Sequence, residues 1–341
     1  SHVADLGEDG AVGHAEIDDV DGAGEARALG GEQADLEVAE GHRVVGLDGD
    51  AQGRAAVGVE AGGDVERHAA QLGAVHRGID GFRLDAVKHI EDAWLTDLRA
   101  KVKAEIEPVT GEHFYMVGET FTGDQGLIKY YVNPAMLDGQ FDFPLRSRLL
   151  RSILLRAGDQ GSTMSALDGF LAQNENVYGS GVMSTFIGNH DVPRPIHFAE
   201  DSPLWGTGDG VEWTNGKDRA WSNQPGLPGG TSAFERVANA YTVLYTQKGI
   251  PLVYYGDEVA MPGAGDPDNR RMMQWTGYSA GQQLLLDRLK KLGKARGAHP
   301  ALRRGARTTL LASDDVWAFK LTSGADTVCV VLNRSDSTQQ V

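Results

Sequence analysis

Cysteine, positive charge and long apolar runs are all scarce in this sequence of 341 residues. The single cysteine, Cys329, excludes a disulfide framework and a metal site built from cysteines. No apolar stretch reaches the roughly 18 residues that a membrane span needs. Lys and Arg number 32 against 48 Asp and Glu, a net charge of −16. This balance argues against nucleic acid or an anionic membrane surface as a partner.

Residues 1–77 lack nine residue types altogether: Phe, Trp, Tyr, Met, Pro, Thr, Asn, Lys and Cys. They carry 17 Asp and Glu against 5 Arg, so this segment holds most of the negative charge. Its five dominant residue types, Ala, Gly, Val, Asp and Glu, all have codons that begin with G. We interpret the segment as an out-of-frame product of a GC-rich gene, with a disordered acidic tail as the alternative. Either interpretation predicts little stable structure, and the first residues show no signal-peptide pattern.

Residues 78–341 alternate between short apolar runs and amphipathic segments. The pattern predicts an α/β fold with a parallel sheet covered on both faces. The predicted strands are 78–85, 113–119, 140–144, 182–191 and 250–258, and the predicted helices are 86–108, 145–157, 162–173, 233–249 and 280–300. The first helix is expected to stop at Pro108. Three final strands, 308–313, 316–322 and 327–335, have the character of a separate antiparallel β-domain.

Three of the predicted parallel strands end in a carboxylic acid: Asp85, Glu119 and Asp191. In a parallel α/β barrel, groups at the carboxyl ends of the strands share one mouth, where acids of this kind can cleave a glycosidic bond. Arg83 lies on the same strand face as Asp85 and would hold it ionised. The apolar residues before Glu119 favour a raised pKa, which suits a general acid. Taken singly, each acid is better explained as a helix N-cap, which Asp favours.

The sequence segments around these acids favour the catalytic interpretation over the helix caps. GFRLDAVKH (81–89), MVGET (116–120) and FIGNHD (186–191) resemble, in order and spacing, three of the four signature segments of the alpha-amylase family, glycoside hydrolase family thirteen. Three further segments resemble its sixth strand, its eighth strand and the loop after that strand: FDFPL (141–145), GIPLVYYGDE (249–258) and DPDNRRMMQW (266–275).

The resemblance implies an incomplete (β/α)8 TIM barrel, about strands four to eight, followed by the start of an antiparallel β-domain. The domains would be residues 1–77 (unstructured), 78–300 (partial catalytic barrel) and 301–341 (β-domain). It implies Asp85 as nucleophile, Glu119 as general acid/base and Asp191 as transition-state stabiliser of retaining α-1,4-glucan cleavage. The substrate would be starch, glycogen or a maltooligosaccharide, and the enzyme would be extracellular or periplasmic.

The resemblance also assigns binding roles. Arg83 and His190 match the family's substrate-orienting pair, and Lys88 and His89 match positions that contact glucose units on the leaving-group side. The backbone carbonyl of His89 matches one calcium ligand. Calcium is therefore a possible cofactor, although the other ligands and the first signature segment have no counterpart in this sequence. The first three strands of the barrel have no match in this sequence either, and we expect impaired activity because that half of the scaffold is missing. The alternatives are a transglycosylase of the same family, similar to cyclodextrin glucanotransferase, or a non-catalytic fragment.

Several other residues are weaker candidates. Four aromatic residues can either stack on sugar rings or pack the protein interior: Tyr178, Trp205, Trp213 and Trp221. Asp257 and Glu258 end a strand, and we interpret the acid at Glu258 as structural, bonding loop backbone or Arg270 and Arg271. His197 and His299 have no partner nearby in sequence, which predicts surface positions.

Overall fold

The computed structural model describes residues 79–340 and the two strands at 34–38 and 42–46. The rest of residues 1–78 and Val341 lie outside the described residues. The interpretation of residues 1–77 as out-of-frame or disordered falls mostly on that part and stays a prediction.

The described chain contains ten strands and eight α-helices. The strands are β1 (Ala34–Val38), β2 (His42–Gly46), β3 (Gly81–Leu84), β4 (Tyr115–Gly118), β5 (Gly139–Gln140), β6 (Ser184–Thr185), β7 (Ile250–Pro251), β8 (Ala306–Ala312), β9 (Val316–Ser323) and β10 (Asp326–Asn333). The helices are α1 (Asp92–Lys101), α2 (Glu107–Thr110), α3 (Gln125–Tyr131), α4 (Phe143–Leu149), α5 (Met164–Tyr178), α6 (Ser232–Tyr245), α7 (Ala280–Ala298) and α8 (Pro300–Arg304).

Strands β3 to β7 form a parallel arc in chain order. β1 pairs antiparallel with β2, β2 pairs parallel with β3, and the sheet continues in parallel through β4 to β5. A single parallel bridge from Phe141 to Ser184 leads on to β6, which pairs in parallel with β7. Helices connect the successive strands, as right-handed βαβ units require. The predicted parallel α/β character is therefore present.

Strands β6 and β7 are only two residues long, whereas the sequence predicts ten and nine. The apolar residues after β6 are fully buried, but their backbone leaves the sheet. The carbonyl of Ile187 accepts a hydrogen bond from Arg146 Nε at 3.1 Å instead of a strand partner. Apolar runs thus predict burial here better than they predict strand length.

The helix predicted over 86–108 differs at both ends. Ala86 has φ 46°, a short 3₁₀ turn follows, and α1 begins only at Asp92. Beyond Lys101 the helix continues through a π-helical segment into α2. Pro108 lies in the first turn of α2, where a missing N–H costs nothing, so Pro108 does not end the helix. The helix ends instead at Gly111, whose φ of 74° suits glycine.

The largest apolar core joins helices α4 to α7 to the C-terminal sheet. Strands β8, β9 and β10 are antiparallel, in the order β10-β9-β8, as the sequence predicts. Trp317 and Phe319 of β9 are fully buried in this core. Asp168 of α5 accepts hydrogen bonds from Trp317 Nε1 at 3.0 Å, from Thr309 and from Arg307, which holds the sheet against the helix. No helix of the described part is long and apolar enough to cross a membrane.

Candidate active site

Two of the three candidate acids follow neighbouring parallel strands. Asp85 comes directly after β3 and Glu119 directly after β4, and Leu84 is paired with Gly118. The backbone N–H of Glu119 donates to the carbonyl of Leu84 at 2.9 Å, so the sheet register fixes both positions. Both side chains therefore project from the same edge of the arc.

Arg83 connects these two carboxyl groups. Its guanidinium hydrogen-bonds the carboxylate of Asp85, and Nη2 lies 3.1 Å from Glu119 Oε2. The side chains of Arg83 and Glu119 are 7% and 8% exposed, whereas that of Asp85 is 59% exposed. The guanidinium also lies over the ring of Phe141, 5.5 Å from its centroid. One buried cation thus orients both acids while leaving Asp85 open to solvent.

Burial and charge move the two pKa values apart. Burial raises the pKa of Glu119 to about 7, opposed by Arg83 and reinforced by Asp85 and Asp191. Burial alone would raise the pKa of Asp85 as well, but the Arg83 charge, hydrogen bonds and His190 outweigh it, so the pKa is lowered. A protonated Glu119 beside an ionised Asp85 can share its proton with that carboxylate. One acid is thereby suited to donate a proton and the other to attack as an anion.

Asp191 lies in the loop after β6, beside these residues. His190 Nε2 is 3.3 Å and Arg270 Nη2 is 3.7 Å from the Asp191 carboxylate. The Asp191 N–H donates to the side-chain oxygen of Asn189 at 2.9 Å. The negative charge of Asp191 contributes to the raised pKa of Glu119. The structure therefore brings together all three predicted acids with Arg83 and His190, and their catalytic roles stay predictions.

The other predicted binding residues lie at the edge of this cluster. Lys88 Nζ donates to the carbonyl of Phe121 at 2.9 Å, two residues beyond Glu119. His89 is exposed and ends the 3₁₀ turn Val87–His89. Within residues 79–340 there is no group of three or more His, Cys, Asp or Glu side chains that could hold a metal ion. Calcium takes six to eight oxygen ligands, so a His89 carbonyl does not form a site with the described side chains, and its role as a ligand stays a prediction.

The candidate aromatic residues divide by exposure. Tyr178 is 3% exposed. Trp205 packs on Phe198 and donates to Asp218, and Trp213 packs beside Phe143. Of the four, only Trp221, 83% exposed, presents its ring to solvent. The first three thus pack the protein interior or its loops.

One expectation about the remaining polar residues is wrong. His197, expected at the surface, is fully buried: Nδ1 lies 2.6 Å from Glu200 and Nε2 accepts the N–H of Gly263 at 3.0 Å. Asp257, for which the sequence predicts no partner, forms a buried ion pair with Arg194 at 2.8 Å. Gly263 and Arg194 lie far in sequence from His197 and Asp257, whereas Glu200 is only three residues from His197. His299 is half-exposed and contacts Asp326 at 2.9 Å.

The sequence reasoning missed Asn269, which contacts the backbone on both sides of Asp191. Its side-chain amide donates to the carbonyls of His190 at 2.8 Å and Val192 at 2.9 Å. Asn269 lies inside the segment DPDNRRMMQW, so the motif gave a signal for the loop but none for this contact.

A parallel α/β arc with acids at the carboxyl ends of its strands is the arrangement of a barrel enzyme. Known proteins of one enzyme family resemble this chain in sequence. Residues 70–205 match the sequence model of the alpha-amylase catalytic domain. The chain is 28% identical to the cyclomaltodextrin glucanotransferase of Paenibacillus macerans, over 76% of this chain and 31% of that protein. It is 28% identical to an alpha-amylase of Streptomyces lividans, over 72% of this chain and 26% of that protein.

A solved structure shows the same likeness. The alpha-amylase of Geobacillus thermoleovorans, complexed with acarbose, aligns with a TM-score of 0.63 and 28% identity over 81% of this chain and 53% of that one. These matches confirm the resemblance to the alpha-amylase family and support a partial barrel followed by a sheet. The chain spans about a quarter to a half of the length of these relatives.

Proposed function

We propose that this chain carries the catalytic acids of a retaining glycoside hydrolase that acts on α-1,4-linked glucans. The family match and the alpha-amylases and cyclomaltodextrin glucanotransferases among the relatives support this class of enzyme. In this comparison, β3 to β7 correspond to strands four to eight of the alpha-amylase barrel. The glucose units on the two sides of the bond that is cleaved would lie against the three acids.

In the first step, Asp85 attacks the anomeric carbon while Glu119 donates its proton to the leaving glycosidic oxygen. The bond between carbon and Asp85 forms as the glycosidic bond breaks. In the second step Glu119, now ionised, removes a proton from water, and that water displaces Asp85. Asp191 faces the positive charge that develops on the sugar ring, and His190 and Arg83 orient the groups around it.

The observation that carries this proposal is the Arg83 contact to both Asp85 and Glu119. One guanidinium holds a solvent-accessible carboxylate and a buried carboxyl group side by side, and their pKa values move in opposite directions. A set of unrelated helix caps would not need a shared buried cation. The N-cap of the short helical turn after β3 is the left-handed Ala86 and not Asp85.

The test is the release of reducing sugar from soluble starch by the chain and by its Asp85→Asn variant. This change removes the attacking anion and retains the size of the side chain, and we expect a loss of at least about a thousandfold in kcat. Asp97→Asn, an exposed carboxyl on α1, is the matched control and should retain full activity. Equal rates for the chain and Asp85→Asn would refute the proposal and favour a non-catalytic protein.

Several relatives favour transglycosylation as a second candidate, because they are cyclomaltodextrin glucanotransferases. The same three acids serve both reactions, and the outcome depends on whether water or a sugar hydroxyl takes the glycosyl group. Chromatography of the products from starch separates the two. Linear maltooligosaccharides with a newly formed reducing end indicate hydrolysis, and cyclic products without new reducing ends indicate transfer.

A further inference from the structure

We propose that Asn269 is a positioning residue for Asp191 and that its side-chain amide sets the direction of that carboxylate. This inference rests on the proposed function, and it adds a residue that acts through the backbone and not on the substrate. Asn269 belongs to the loop after β7, whereas Asp191 belongs to the loop after β6. The amide therefore joins two loops at the candidate mouth.

Asn269 forms hydrogen bonds with the residues immediately before and after Asp191. Nδ2 donates one proton to the carbonyl of His190 and the other to that of Val192, at 2.8 and 2.9 Å. The N–H of Asp191 itself is held by Asn189. The peptide group before Asp191 is thereby held at both its carbonyl and its N–H, and the carbonyl of the next residue, Val192, is held as well. A side chain on a backbone held on either side has few directions left to it.

Asn269 is itself held rigidly. Arg194 Nε donates to its backbone carbonyl at 2.9 Å, and the same guanidinium forms a buried ion pair with Asp257 at 2.8 Å. The Arg194 guanidinium also lies over the rings of Tyr254 and Tyr255. Gly188, in the same loop as Asp191, leaves room for Asp257, because a Cβ there would clash with the Asp257 carboxylate. Arg194 therefore connects the Asn269 backbone to the loop that carries Asp191.

Asn269 is fully buried, and its Oδ1 has no hydrogen-bond partner among the described residues. A buried amide oxygen without a partner destabilises the fold, so this side chain is a poor choice for packing alone. Both of its donors contribute to the geometry of the Asp191 loop. A position that only fills space would be served equally well by an apolar residue.

The test compares Asn269→Ala with Asn174→Ala, a matched control. Asn174 is also a buried amide, and its Nδ2 donates a hydrogen bond to the Asp142 carboxylate at 2.6 Å. It makes no contact with the three acids. With maltopentaose as substrate, we expect Asn269→Ala to lower kcat by about ten- to a hundredfold, because small misplacements of a catalytic group cost that much. KM should stay within threefold, and Asn174→Ala should keep the kcat of the chain.

Folding is controlled by measuring the thermal midpoint of both variants. The inference is overturned if Asn269→Ala keeps its kcat, if KM rises in proportion to the loss, or if Asn174→Ala loses as much kcat at an equal drop in midpoint. Asn269→Ser, which retains one donor, should fall between the chain and Asn269→Ala.

A binding experiment separates failure of this inference from failure of the proposed function. Calorimetry measures the affinity of the chain and of Asn269→Ala for acarbose, which imitates the transition state, and for maltotriose, which imitates the ground state. A misdirected Asp191 should weaken acarbose at least fivefold more than maltotriose. If starch turnover proves independent of Asp85, the proposed function fails. Equal losses of affinity for acarbose and maltotriose would overturn the positioning role of Asn269 separately.

Discussion

Replacing Glu119 by Gln should change how the stability of the protein depends on pH. Burial raises the pKa of Glu119 from 4.5 to about 7 in the folded protein. The folded state therefore binds more protons than the unfolded state between these two values. Stability falls with rising pH wherever that is so, and this contribution is lost between pH 4.5 and 7. The amide of the Glu119→Gln variant carries no charge at either pH and has no such dependence.

The magnitude follows from the size of the shift. Each pKa unit corresponds to about 1.4 kcal/mol, so ionising Glu119 in its buried position costs roughly 3 kcal/mol of unfolding free energy. The side chain is only 8% exposed, so solvent screens this cost little. Glu119→Gln should thus gain about 3 kcal/mol relative to the wild-type chain when the pH is raised from about 4 to about 8.

The assay is urea unfolding of both proteins at pH 4, 6 and 8, followed by tryptophan fluorescence. The pKa values of Asp142 and Asp257 are raised to about 6 by burial, but both groups are present in both proteins and cancel in the difference. A difference in unfolding free energy that stays constant from pH 4 to 8 would refute the raised pKa of Glu119.

Two further predictions concern charge and the C-terminal sheet. The Arg83 cation lowers the pKa of both Asp85 and Glu119. Arg83→Gln should therefore move both limbs of the pH profile of kcat/KM to higher pH. An unchanged profile would contradict the role of Arg83. Asp168→Ala should lower the unfolding free energy by about 2–3 kcal/mol, because Arg307 and Trp317 lose their acceptor, with kcat unchanged. A large loss of kcat without loss of stability would count against the purely structural role of Asp168.

The sequence predicts those parts of the site that depend on periodicity and short motifs. Asp85 and Glu119 each follow a buried run, and parallel pairing brings such positions to one edge. Arg83 is two residues from Asp85, so the shared strand face predicts their contact. The antiparallel final strands alternate strongly enough to be identified from pattern alone. These features are local or follow from a single pairing rule.

Contacts between loops are not predictable in this way. His197 gives no sign of burial because Gly263, which donates to its Nε2, becomes a neighbour only when two loops fold against each other. The pairing of Asp257 with Arg194 and the contact of Asn269 with the Asp191 loop have the same origin. Strand lengths after Thr185 are also set by such contacts, because the Arg146 side chain takes the place of a strand partner.

The most direct test of the central claim is to trap the covalent intermediate. A fluorinated α-glucosyl fluoride, which forms the glycosyl–enzyme faster than water can hydrolyse it, is incubated with the chain, and the digested protein is analysed by mass spectrometry. We expect one added sugar, attached to Asp85, and no addition in Asp85→Asn. A sugar attached to another residue, or no addition to a chain that cleaves starch, would contradict the role of Asp85 as nucleophile.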